Sequence, residues 1–148
     1  MKIAKVMTSG VKGAESGAII AAQKAGITIT GWRSKGSETD YPQLQETSSA
    51  KEEQSVIWNV RDSHATLIIK PVSKYLYPNL ALEVADSYKR PVCVSDDPSR
   101  IINWLNKLGE ELVLNVIGPN EKELEGSERA TKKIMDAVFA YYNSSMFF

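Results

Sequence analysis

Ser9, Gly10, Lys12 and Gly13 are the residues whose types and spacing most readily suggest chemistry. They follow a short apolar run and precede a segment rich in Ala and Ile, from Ala14 to Ala25. Glycines at 10 and 13 permit a tight turn and close approach of backbone to a ligand. A helix opening at that point would present unpaired N–H groups and a partial positive charge. Lys12 adds a full charge, so an anion, most simply a phosphate, is the expected guest. The spacing matches neither the dinucleotide fingerprint nor the P-loop, and a glycine turn without a ligand stays open beside this reading. Side chains beyond the turn extend the candidate site. Arg33 and Lys35, with Trp32, follow the second apolar run, where they could cover and clamp a bound group. Asn79 and Gly118 follow the third and fifth runs and complete the cofactor-binding set. If Trp32 or Tyr77 filled the space above Gly10, no room for a guest would remain.

Other chemistries find little support. The lone His64 lacks companions for a metal site and reads as a loop residue. The single cysteine, Cys93 in Pro-Val-Cys-Val-Ser, reads as a strand position rather than a reactive thiol. Glu15, Glu83 and Glu121 are the carboxylates that acid–base catalysis could use, and an exposed helical face explains each equally well.

The elements that must position these groups alternate. Strands are expected over residues 2–8, 27–30, 65–69, 91–95 and 112–117, each followed by a helix. Gly26 stops the first helix, whose small residues suggest close packing on the sheet. Residues 31–47 form a loop long enough to suggest a function. Ser49 to Glu52 has capping-box spacing ahead of the second helix. Pro78 suits a first turn, and the third helix should bury Leu80, Val84, Ala85 and Tyr88. Asp97-Pro98 reads as N-cap and first helical residue, and Gly109 ends that helix. The last helix, residues 127–142, shows Ala130, Ile134, Ala137, Val138 and Tyr141 at helical spacing. Such alternation predicts an α/β fold with a parallel sheet between helical layers and right-handed crossovers. Ligands bind such sheets at the carboxyl ends of strands where the order reverses. The first strand is the expected reversal point, its loop facing residues 70–79.

With 148 residues the chain is long enough for one domain, residues 1–148, with a proper core. Its formal net charge of zero favours neither nucleic acid nor an acidic membrane. No apolar run reaches the ~18–20 residues that span a bilayer, and the N-terminus does not read as a signal peptide. A cytoplasmic location is the expectation.

Several phrases occur together in order: Gly31-Trp32 with Lys35-Gly36, Tyr41-Pro42 with Glu46-Thr47, Trp58-Asn-Val-Arg-Asp-Ser63 with Ala65-Thr66-Leu67-Ile68, and Leu114-Asn-Val-Ile-Gly-Pro119. From about Val6 to Val138 the chain resembles the family named putative molybdenum carrier, related to the LOG-like, or lysine-decarboxylase-like, nucleotide-handling superfamily. The resemblance implies a Rossmann-like three-layer sandwich with a five-stranded, mainly parallel sheet. It also implies a homodimer or homotetramer, and a small-molecule site for molybdenum cofactor (molybdopterin) or a nucleotide. A non-catalytic binder of an anionic small molecule is the expected function. The alternatives are a phosphoribohydrolase-like enzyme acting on nucleotides, and a non-binding oligomeric member whose interface would use Tyr75, Tyr77 and the Met-Phe-Phe end. The chain departs from the family pattern at the glycine loop, with Val11 and Lys12 for Gln and Thr and Glu15 for Asp. Arg33-Ser34 replaces Cys-Pro, His64 an Asp, and Tyr77-Pro78-Asn79 a Gly-Gly-Thr turn.

Overall fold

The computed structural model describes residues 1–69 and 75–145. Its strands are β1 (Ile3–Met7), β2 (Thr28–Thr30), β3 (Trp32–Arg33), β4 (Gln45–Glu46), β5 (Ala65–Ile68), β6 (Val92–Val94) and β7 (Leu112–Ile117). Its helices are α1 (Ala14–Lys24), α2 (Glu52–Asp62), α3 (Leu76–Ser87), α4 (Pro98–Asn106) and α5 (Ser127–Ser145). The main sheet has five strands in the order β2-β1-β7-β5-β6, every neighbouring pair parallel. The long loop after β2 holds a small parallel pair of its own, β3 with β4.

Alternation along the strands sends side chains to two cores. Leu112, Leu114 and Val116 of β7 join Ala65 and Leu67 of β5 against α1, α4 and α5. Ile117 and Ile68 point the other way, into a cluster with Val56 and Val60 of α2 and Ala81 and Ala85 of α3. The result is a three-layer α/β sandwich of Rossmann-like type.

Strand order departs from the expectation in one respect. β7, not β5, neighbours β1, and it fills the middle of the sheet between β1 and β5. The loop after β1 therefore meets the loop after β7. Ala14 N donates to Pro119 O at 3.0 Å, Glu121 N donates to Lys12 O at 3.0 Å, and Gly13 bridges Asn120. Residues 70–74, part of the loop expected opposite, lie outside the described residues. Counted with β7 first, the order becomes the 3-2-1-4-5 of a doubly wound sheet. The chain reads as that fold with its first strand moved to the end.

Local signals explain most boundaries. After α1, Gly26 N donates to Gln23 O and Ile27 N to Ala22 O, the paired bonds of a Schellman stop, with Gly26 at φ 76°. Gly17 lets α1 lie against α5: a Cβ there would collide with Glu128 O. Asp97 caps α4 by accepting from Ser99 N at 3.0 Å. The expected Ser49 capping box does not form. Gln54 Oε1 instead accepts from Ser49 N and Ser48 Oγ, and α2 begins at Glu52. On α3 the buried residues are Pro78, Ala81 and Ala85, while Tyr88 is exposed. On α5 the buried face is Thr131, Met135, Val138 and Phe139. Ala130, Ala137 and Tyr141 lie on its exposed flank, because α1 and α4 flank α5 and rotate its core stripe by one position. No helix of the described residues is long and apolar enough to cross a membrane.

Candidate functional site

Beyond the carboxyl ends of β1 and β7 lies a cavity of about 410 Å³, walled by the loops after β1, β3 and β7 and the start of α2. Of the expected residues, Ser9, Gly10, Lys12 and Arg33 line it. Neither Trp32 nor Tyr77 fills it. Trp32 packs edge-on against Trp58 at 4.9 Å and donates from Nε1 to Asp62 Oδ2 at 2.8 Å. Tyr77 donates its hydroxyl to Glu53 at 3.0 Å, and burial pushes its own pKa up to about 12.

The loop after β1 is built around an internal carboxylate. Once α1 starts at Ala14, Glu15 falls in its first turn and folds back under the loop. Its Oε1 accepts from Thr8 Oγ1 and from Ser9 N, each at 3.0 Å. Gly10 N turns to Thr8 Oγ1 at 3.4 Å, and Gly13 N to Ser16 Oγ at 2.9 Å. The amides expected to hold an external anion thus already face partners within the chain. Burial is the largest influence on Glu15 and raises its pKa to about 7, against the lowering effect of the Thr8 hydroxyl and the Val11 and Ser9 amides. A second carboxylate closes the other helix. Glu121 accepts from Gly126 N at 2.9 Å, Ser127 Oγ at 3.0 Å and Glu128 N at 2.7 Å, and the Glu128 and Gly126 amides hold its pKa low. It satisfies N–H groups at the start of α5 that would otherwise lack partners.

The remaining candidates lie off the cavity wall. Gly13 and Gly118 serve close packing: a Cβ at Gly13 would meet Asn120 Cα at 2.5 Å, and one at Gly118 would meet Ala14 Cβ at 2.7 Å. Lys35 is exposed, its backbone N bonded to Ser49 O. Asn79 sits in the first turns of α3 and donates from Nδ2 to Tyr75 O at 2.9 Å. Arg33 lines the cavity but spends its donors locally, on Leu44 O, Ser37 O and Glu46 Oε1 at 3.3, 2.7 and 3.2 Å. It therefore staples its own loop. Among the cations of the wall, Lys12 and Lys122 form no ion pair among the described residues.

Asn59, which no motif spacing singles out, is a positioning residue of the site. It is 2 % exposed, accepts from Trp32 N at 2.8 Å, and donates to Ser9 Oγ at 2.9 Å and Trp32 O at 3.0 Å. One side chain thereby ties the loop after β1 to the start of β3. The sequence signal is its place beside Val56 and Val60 on the buried face of α2, where an amide must find partners. The rest of the Trp-Asn-Val-Arg-Asp-Ser phrase is structural too. Arg61 pairs with Asp62 at 2.7 Å and lies 4.9 Å over the Trp58 ring.

Tyr75 and Tyr77, considered for a subunit interface, are used within the chain. Tyr75 is buried and reaches Glu123 O at 3.4 Å, and Met146 to Phe148 lie outside the described residues. His64 accepts from Val113 N through Nδ1 at 2.8 Å as an exposed loop residue. Cys93 lies on β6, half-buried, with burial raising its thiol pKa.

Two comparisons bear on this arrangement. A crystal structure described as "Putative molybdenum carrier protein" from Syntrophus aciditrophicus SB superposes with a TM-score of 0.85 at 26 % identity. The match covers 93 % of this chain and 95 % of that one. No curated protein matches the sequence. The model of the circularly permutated YpsA SLOG family matches residues 6–139, and a displaced first strand is what the order β2-β1-β7-β5-β6 displays. By strand order and sequence alike, this chain belongs to the circularly permutated YpsA SLOG family.

Proposed function

We infer that the protein binds, without chemistry of its own, an acidic small molecule of nucleotide or pterin-cofactor size. The observation that carries this is the cavity of about 410 Å³ with Lys12 on its wall. Its volume lies within the ~300–1,000 Å³ usual for small-molecule sites. Lys12, joined by Lys122, is placed to neutralise a phosphate or carboxylate. The name of the structural neighbour brings molybdenum into this reading. Among the described residues no group of three or more His, Cys, Asp or Glu could hold a metal ion. The donor set instead fits the phosphate end of an organic cofactor such as molybdopterin, with Lys12 and Lys122 as its partners and molybdenum carried within it.

Mass spectrometry of small molecules that co-purify with the chain, followed by calorimetry, tests this reading. Lys12→Ala should weaken binding of the recovered compound, or of a nucleoside monophosphate, about tenfold or more. Equal affinity in the variant would defeat it. The hydrolase alternative needs a carboxylate presented to the ligand. Of the three carboxylates considered for it, Glu15 is shut beneath the loop, Glu121 is engaged as a helix cap, and Glu83 lies exposed on α3, so a hydrolase would have to use Glu52 of the cavity wall. Release of free base from a nucleoside monophosphate would restore that alternative.

A further inference from the structure

Acid recognition accounts for only one side of the cavity. We propose that its ligand also carries a heterocycle with an N–H donor edge, of the 2-amino-4-oxopyrimidine kind found in guanine, and that Glu52 reads this edge while Lys12 and Lys122 hold the attached acid group. The proposal rests on the reading of the cavity as the binding site.

Glu52 opens α2 on the cavity wall. It is half-buried, and its carboxylate has no hydrogen bond or ion pair among the described residues. The neighbouring acids differ. Glu121 is satisfied by Gly126, Ser127 and Glu128, Glu15 by Thr8 and Ser9, and Glu46 by Arg33 and Gly36, while Glu38, the remaining acid of the wall, is exposed to solvent. Burial, with the like charges of Glu123 and Glu53, holds the Glu52 pKa up, so an incoming donor would relieve an unfavourable carboxylate. An ionised carboxylate only accepts, and its two oxygens match two adjacent N–H groups.

The same geometry argues against a bare tetrahedral oxyanion. The Ser9 and Gly13 amides, which might have cradled one, turn to Glu15 and Ser16, and Arg33 is bound to its own loop. Such an ion would meet Lys12 and Lys122 while facing Glu38, Glu52 and Glu121 across the same space. A wall of mixed charge suits a guest with an acceptor-rich end and a donor-rich end.

The test uses the full chain, calorimetry and thermal shift, with GMP, IMP (which lacks the 2-amino group), AMP, inorganic phosphate and molybdate as probes. GMP should bind, IMP and AMP at least about tenfold more weakly, and the two inorganic ions without a measurable shift. Glu52→Gln should leave the melting temperature of the free protein within about 2 °C, weaken GMP at least about tenfold and narrow the gap between GMP and AMP. Nucleotide binding that depends on Lys12 but ignores both Glu52 and the base would sink this inference while leaving the cavity reading intact. Binding of phosphate or molybdate as tight as GMP would also overturn it. A lack of response to every probe would overturn the inference, whereas the cavity reading would then stand or fall on the co-purified compound and its dependence on Lys12.

Discussion

Replacing Glu15 by Gln isolates the cost of a carboxyl buried beneath the loop after β1. The carboxyl is 7 % exposed and held at about 7 in the folded chain, against an ordinary value of 4.5. Between those values the folded chain keeps a proton that the unfolded chain has released, so stability falls as pH rises. The contribution of the protonated group is fully present below about pH 4.5 and is lost as pH climbs through about 7. At ~1.4 kcal/mol per pH unit, that gap corresponds to about 3 kcal/mol. Gln keeps an oxygen for Thr8 Oγ1 and Ser9 N but cannot ionise. Urea titrations of both proteins at pH 5, 6, 7 and 8 give the free energies, and groups common to both cancel in the difference. The variant should gain on the wild type by roughly 2–3 kcal/mol across the series, most steeply up to pH 7. Parallel pH profiles would refute the argument, because they would mean that the loop hydrogen bonds offset the burial of the charge.

Asn59→Ala leaves Ser9 Oγ and the Trp32 backbone without their partner, so it should cost at least about 2 kcal/mol, a fall in Tm of roughly 4–8 °C by calorimetry. Gly17→Ala drives a methyl group toward Glu128 O and should cost about 1–3 kcal/mol in denaturant titration, in contrast to the usual gain from Gly to Ala in a helix. Asp97→Ala removes the cap on α4 and should cost about 1 kcal/mol in the same assay.

Periodicity and punctuation made the elements legible. The apolar run Leu112–Ile117, the cap at Asp97 and the stop at Gly26 all lie where residue chemistry alone puts them. Neighbourhood was harder to read, because a run of apolar residues says that a strand is buried on both faces but not which strands flank it. The placement of β7 between β1 and β5 had no local signature. The α5 face was ambiguous for a related reason. Ala130, Ile134 and Ala137 form as regular a stripe as Thr131, Met135 and Val138, and only the neighbouring helices choose between them. At the site, the glycine loop and Lys12 were visible, and the direction of the loop amides was not. That direction depends on Glu15 folding back from the first turn of α1, a tertiary contact no spacing rule encodes. Arg33 misled similarly, since the Glu46 that claims it is thirteen residues on, across β3 and β4.

Placing the central strand last also bears on how the chain is made. While a ribosome is still extending it, β1 with β2 and β5 with β6 can form only two separate ribbons, each with a hydrophobic margin. Neither ribbon can join the other until residues 112–117 have left the exit tunnel. Assembly of the nascent protein is then a late zippering event, and the interval before it is when chaperones would have most to cover.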